Sequence, residues 1–94
     1  MSIRISSVYR HWIDSIEDAA TRARIQLRVD RLVHGHPGSL RRLPGGIAEL
    51  KMDFGPGYRV YYCERGRELV LLCGGDKSNQ QRDIQTAIAL AKRL

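Results

Sequence analysis

No apolar stretch in this sequence approaches the roughly 18–20 residues that a membrane span requires. The first residues also lack the apolar h-region of a signal peptide, so a cytoplasmic protein is expected. There is no GxGxxG and no P-loop, and the length barely admits a dinucleotide-binding unit. Cys63 and Cys73 lie in no CxxC and are accompanied by no paired histidines, so a zinc site finds little support. His11, His34 and His36 share no ligand spacing with acids or cysteines, and Ser, His and Asp form no nucleophile elbow. Neither a cofactor nor a metal is expected. Lysine is scarce as well: of 16 basic residues, Lys51, Lys77 and Lys92 alone are lysine.

What is present is a chain of 94 residues, enough for one domain and too little for two. At this size only roughly 60–65% of the unfolded surface is buried, so the core is thin. Hydrophobic residues make up 43%, too many for a disordered tail. The formal charge is +6 and the pI about 9.9, carried mostly by arginine. Such a charge favours a polyanion or an acidic protein as partner.

Three kinds of periodicity follow one another. Residues 7–33 read as helix: Val8, Trp12, Ile16 and Ala19 recur at helical spacing, then Asp18 starts a second helix as its N-cap. Ile25, Val29 and Leu32 form an apolar stripe on it, and Arg24, Arg28 and Arg31 a basic one. His34-Gly35 stops it, giving an antiparallel helical hairpin. Ile3-Arg4-Ile5 alternates and is a candidate edge strand before it.

Residues 40–74 read as an antiparallel sheet of three to four strands. Ala48, Leu50, Met52 and Phe54 fall on one face, and Glu49, Lys51 and Asp53 on the other. Turns at Gly55-Pro56-Gly57 and Arg65-Gly66-Arg67 link the strands. Leu69-Val70-Leu71-Leu72-Cys73 is apolar throughout, as in a strand covered on both faces, and both cysteines are expected to be buried and reduced. Symmetrical closure around Gly55-Pro56-Gly57 puts Asp53 opposite Arg59 and Lys51 opposite Tyr61. A last helix follows, with Ser78 and Gln81 as a capping box and Ile84, Ala87, Ile88, Ala91 and Leu94 as its apolar stripe. The class is α+β.

The residues that bear chemistry are cationic and aromatic: Arg41, Arg42, Lys51, Tyr58, Arg59, Tyr61, Tyr62 and Lys77. Such groups suit phosphodiester chemistry on RNA, in which the 2′-hydroxyl attacks phosphorus and the 5′-oxygen leaves. Arginine clamps phosphate and stays charged, lysine clustered with arginine exchanges protons nearer neutrality, and tyrosine offers a stacking face. Plainer readings stand beside this one. Arg59 is also readable as a cross-strand partner of Asp53, Lys77 as a solvated loop residue, the Arg24, Arg28 and Arg31 stripe as a solvated helix face, and one or more of the tyrosines as core.

Glu49-Leu50-Lys51, the hairpin Gly55-Pro56-Gly57-Tyr58-Arg59-Val60-Tyr61-Tyr62, and Gly74-Gly75-Asp76-Lys77-Ser78-Asn79-Gln80 with Asp83-Ile84 closely resemble the RelE/ParE toxin superfamily. The similar branch is the phage-derived, HigB-type group of addiction module killer proteins. The likeness runs over residues 8–91. It implies a microbial-ribonuclease-like RelE fold and the toxin of a type II toxin–antitoxin system. The implied activity is ribosome-dependent, metal-independent cleavage of mRNA. Arg59 matches the arginine that follows Gly-Tyr in the family, Lys77 the basic position beyond the last strand, and Lys51 more loosely a basic position in the strand before the hairpin; these three are the implied catalytic residues. Arg41, Arg42, Arg24, Arg28, Arg31 and Tyr58 are then candidates for contacts with RNA and ribosome. Where some relatives carry a tyrosine near the C-terminus, this chain reads Ile84-Gln85-Thr86. The superfamily also holds toxins that inhibit DNA gyrase by binding, so that function, or a degenerate toxin that only binds, is the alternative. The implied partners are a cognate antitoxin with a helix-turn-helix domain, the ribosome with its mRNA, and operator DNA through the antitoxin.

Overall fold

Local signals place the helices of the computed structural model, which describes residues 2–94. The Ser6 side chain accepts the Tyr9 N–H at 3.0 Å and opens α1 (Ser7–Ser15). Asp18 accepts the Thr21 N–H at 3.1 Å and opens α2 (Ala19–Val33), as its place before an apolar series predicts. His34 caps the end of α2, and Gly35 follows in the left-handed region that glycine adopts without strain. The buried side of α1 is turned by one residue from expectation. Tyr9 and Ile13 are buried and Trp12 partly so, whereas Val8 faces solvent.

The sheet is larger than the sequence pattern suggests, and it is mixed. Its five strands are β1 (Ser2–Ile5), β2 (Leu40–Leu43), β3 (Ile47–Lys51), β4 (Arg59–Arg65) and β5 (Glu68–Gly75), in the order β1-β5-β4-β3-β2. Strands β2 to β5 are an antiparallel meander; its first turn, Pro44-Gly45-Gly46, adds to the two expected at Gly55-Pro56-Gly57 and Arg65-Gly66-Arg67. The edge strand β1 pairs parallel with β5, from Ser2 opposite Glu68 to Ile5 opposite Leu71. A parallel pair needs no turn between its strands, so no local signal announces it. The two N-terminal helices do not make a self-contained hairpin: α1 lies on β5, and both helices cover one face of the sheet.

That face carries Ala48, Leu50, Met52, Val60, Tyr62, Leu69 and Leu71 against Tyr9, Ile13, Ile25, Val29 and Leu32. On the opposite face Ile47, Tyr61, Cys63, Val70, Leu72 and Cys73 meet Ala87 and Ala91 of α3 (Gln80–Lys92). The continuous apolar run of β5 is thus used on both sides, and a register shift between Tyr61 and Tyr62 turns both Leu72 and Cys73 toward α3. Each fully buried Leu or Val contributes about 2 kcal/mol by area alone. Leu94, expected in the α3 stripe, is exposed. Both cysteines are free and buried. Burial pushes the Cys73 thiol up to about 12, with the nearby Asp83 charge adding to it, and raises Cys63 too. Among the described residues no helix is long and apolar enough to cross a membrane.

The start of α3 also departs from the expected capping box. Ser78 is not the N-cap. The Asp76 carboxylate accepts the Ser78 N–H at 2.9 Å and its hydroxyl at 2.5 Å, which winds Lys77–Asn79 into a short 3-10 turn before α3. Gly74 and Gly75 bring this segment close to its neighbours. A Cβ on Gly74 would overlap the Trp12 ring, and one on Gly75 the Asp83 carboxylate. Gly74→Ala therefore forces the ring or the strand to move. Overpacking of this kind costs about 3 kcal/mol, and urea unfolding should show that loss as a lower midpoint with an unchanged slope.

Candidate functional site

The site grows from the register of the central hairpin. Lys51, not Asp53, stands opposite Arg59, and Glu49, not Lys51, stands opposite Tyr61. The Met52 N–H bonds to the Tyr58 carbonyl at 3.0 Å, so the connection is a five-residue loop holding Asp53 rather than a symmetrical turn about Pro56. The shift is two residues, which keeps every side chain on its expected face. It places two cations directly across from each other, ordinarily an unfavourable cross-strand pair.

Glu49 resolves the conflict. Its side chain is 3% exposed. Gln80 of α3 donates to its Oε2 at 2.8 Å, Arg41 of β2 lies 3.3 Å away, and the Arg59 Nε 3.9 Å away. Three elements therefore converge on one carboxylate of β3. Arg59 is itself 6% exposed and donates through Nη1 to the Gly57 carbonyl at 2.6 Å. Its Nε has no hydrogen-bond partner among the described residues, and neither has the buried hydroxyl of Tyr61 next to it. Burial raises the Tyr61 phenol, and the Glu49 charge raises it further. Tyr61 is therefore a neutral core residue that also packs against Ala87 and Ala91.

Arg59 forms the floor of an open groove of about 420 Å³ whose rim carries Lys51, Asp53 and Lys77. Lys51 reaches Asp53 at 3.7 Å and remains half exposed. Lys77 is exposed on the 3-10 turn, with Gly57 beneath it: a Cβ there would stand 3.4 Å from the Lys77 Cβ. A second hollow of about 280 Å³ joins Lys51 and Arg59 to Arg41, Glu49 and Gln80. A third, about 580 Å³, joins Lys51 to Arg24, Arg28 and Arg31. Lys51 borders all three. A fixed buried guanidinium with ammonium groups above it is an arrangement that stabilises charge on a phosphate-like anion.

Seven of the nine singled-out residues thus lie along one groove system. The other two do not. Arg42 pairs with Ala48 and borders hollows shared with Tyr62 and Glu64, away from Arg59. Tyr58 packs its ring against Phe54 (5.5 Å between centroids) and Trp12 (6.3 Å). Glu49 and Gln80 received no role from the sequence reading. The signal for Glu49 was present: an acid on the polar face of a strand whose neighbour carries Arg59. Among the described residues no cluster of three or more His, Cys, Asp and Glu side chains is placed to hold a metal ion.

Two predictions follow from this geometry. Glu49→Ala leaves Arg59 buried without its counter-charge. It should cost about 3 kcal/mol in chemical denaturation, whereas Lys77→Ala, on the surface, should cost almost nothing. Hydrogen bonds from the Ser78 hydroxyl and N–H hold the Asp76 carboxyl below its ordinary value of 3.8. The stability they contribute is present above that value and lost as pH falls through the lower folded one. In an NMR titration the Ser78 amide should therefore move with a midpoint below 3.8, and the turn carrying Lys77 should loosen there.

No family model matches the chain, and no solved structure does. A protein of Haemophilus influenzae described as uncharacterized is 38% identical over 95 residues, an alignment that takes in 100% of this chain and 96% of the other. Two chains this similar over their length share one fold and one ancestry, and this chain belongs to the family of that Haemophilus influenzae protein.

Proposed function

We propose that this chain is the toxin of a type II toxin–antitoxin pair, of RelE/ParE type, and that it cleaves mRNA on the ribosome in the cytoplasm. The observation that supports this reading best is the meeting of Lys51, Arg59 and Lys77 on one open groove, with Arg59 immobilised by Glu49 and Gly57. In this reading the scissile phosphate sits over Arg59. The 2′-hydroxyl oxygen bonds to phosphorus, the bond from phosphorus to the 5′-oxygen breaks, and a 2′,3′-cyclic phosphate remains. Arg59 balances the extra negative charge of the phosphorane. Because its guanidinium is already held in place, little reorganisation is needed at that moment. Lys77, exposed on the rim, gives a proton to the departing 5′-oxygen, and Lys51 holds a phosphate oxygen. The carboxylate on the same rim, Asp53, takes the proton of the 2′-hydroxyl.

The surrounding charge fits the rest of the proposal. Arg41 and the α2 arginines would meet ribosomal or messenger RNA. A cognate antitoxin with an acidic segment would cover the same groove and, through its own helix-turn-helix domain, carry the pair to operator DNA.

Induced expression followed by primer extension on abundant transcripts tests the reading. New 5′ ends inside translated frames are expected, and Lys77→Ala and Arg59→Lys should each reduce them about 100-fold or more. Arg59→Lys keeps the charge beside Glu49, so loss of cleavage in a folded variant reports on the guanidinium itself. Growth arrest with intact transcripts would replace this reading with the gyrase-binding one. Absence of arrest would leave a module that only binds.

A further inference from the structure

We propose that the groove between α2 and the loop after β3 seats an unpaired nucleotide next to the scissile phosphate, with its base stacked on Arg24. This inference rests on the cleavage reading above and names where the neighbouring part of the RNA lies. The groove, about 580 Å³, is of a size that suits a small ligand. It opens onto the Arg59 groove through three shared residues, Lys51, Asp53 and Phe54. A strand held over Arg59 therefore has a continuous path into it past Lys51.

The walls differ from a plain basic patch. The Arg24 guanidinium carbon stands 3.8 Å from the centroid of the Phe54 ring, so the arginine caps an aromatic face. Phe54 is in turn packed against Tyr58, whose ring meets Trp12, so the pair rests on the core. An arginine held this way offers a flat, charged platform, which is how unpaired bases are often bound. Leu27, half exposed, lines the same groove and offers apolar contact. Arg28 is a fixed wall: it donates to the Pro37 carbonyl at 2.8 Å, and Gly38 lies close enough that a Cβ there would stand 3.1 Å from its Nη2. Arg31, three residues on, is exposed on the same groove and available to phosphate. Arg24 and Arg31 are about 10 Å apart along the helix axis. An acidic peptide would satisfy the cations but would leave the Arg24–Phe54 stack and Leu27 unused, so RNA is the better match.

The test uses an uncleavable 2′-O-methyl hexanucleotide carrying a 2-aminopurine, titrated into the isotopically labelled protein. Amide and arginine side-chain signals of Arg24, Leu27, Arg31 and Phe54 should move together with those of Lys51, Arg59 and Lys77. The 2-aminopurine emission should rise as the base leaves its neighbours for the arginine. Arg24→Gln, on the surface, and Phe54→Leu, which keeps an apolar side chain, should each weaken binding about tenfold and reduce the rise. Movement at Lys51, Arg59 and Lys77 with a silent α2 overturns the nucleotide seat and leaves the cleavage reading standing. Movement on α2 with Arg59 and Lys77 silent removes the cleavage centre and overturns the placement of the seat beside it. An unchanged rise in Arg24→Gln overturns the stack. An oligoglutamate that moves the α2 signals where the hexanucleotide does not overturns the proposal in favour of a protein partner. A hexanucleotide that moves nothing overturns the nucleotide seat, and primer extension in cells then decides the cleavage reading by itself.

Discussion

A single buried carboxylate organises the basic side of this molecule. Glu49 is buried on β3, between β2 and β4, where an unpaired charge would be expensive, and it is matched by groups from three other elements: Arg41 on β2, Arg59 on β4 and Gln80 on α3. The exchange is mutual. Without Glu49, Arg59 would be a buried cation opposite a lysine, an arrangement the sheet would resist. Without those partners, Glu49 would be an isolated carboxylate in the interior. Buried ion pairs of this kind add little net stability. What Glu49 contributes is placement, since it turns a flexible guanidinium into a fixed feature of the groove floor.

The surroundings follow from that constraint. α3 lies close to the sheet because Ala87 and Ala91 face it, and Gly75 leaves room for Asp83. That closeness brings Gln80 within reach of Glu49. Asp76 winds the preceding turn and so sets Lys77 over Gly57. On the other side of the groove the hairpin loop is fastened by Phe54 and Tyr58 to Trp12. The groove is therefore bounded by the hairpin loop on one side and by the 3-10 turn of Lys77 on the other.

Much of this was legible in the sequence where the signal was local. The Asp18 cap, the stop at His34-Gly35, the apolar series Ile25, Val29 and Leu32, and the two-sided coverage of Leu69 to Cys73 depend on residues a few positions apart. The faces of β3 were legible for the same reason. The register of the hairpin was not, because the Met52–Tyr58 bond depends on how Phe54 and Tyr58 pack. Nor was the parallel pairing of β1, whose partner lies 66 positions away. Tyr58 reads as a candidate RNA contact, an aromatic among cations, but its neighbours in space are Trp12 and Phe54. Glu49 is legible as an acid on the polar face of its strand, but its partners come from positions 41, 59 and 80, which only the folded sheet brings together.

The order of the strands has a consequence during synthesis. β1 is made early, yet the strand it pairs with is β5, so the edge of the sheet waits, unpaired, while the meander is translated. Long-range pairing of this kind is slow to form. Lys77 and Gln80 come later still than every strand. The groove floor therefore stays unfixed, and one of its three cations is missing, until the segment after β5 has been made and docked. A nascent chain carries the parts of the site long before it carries the site.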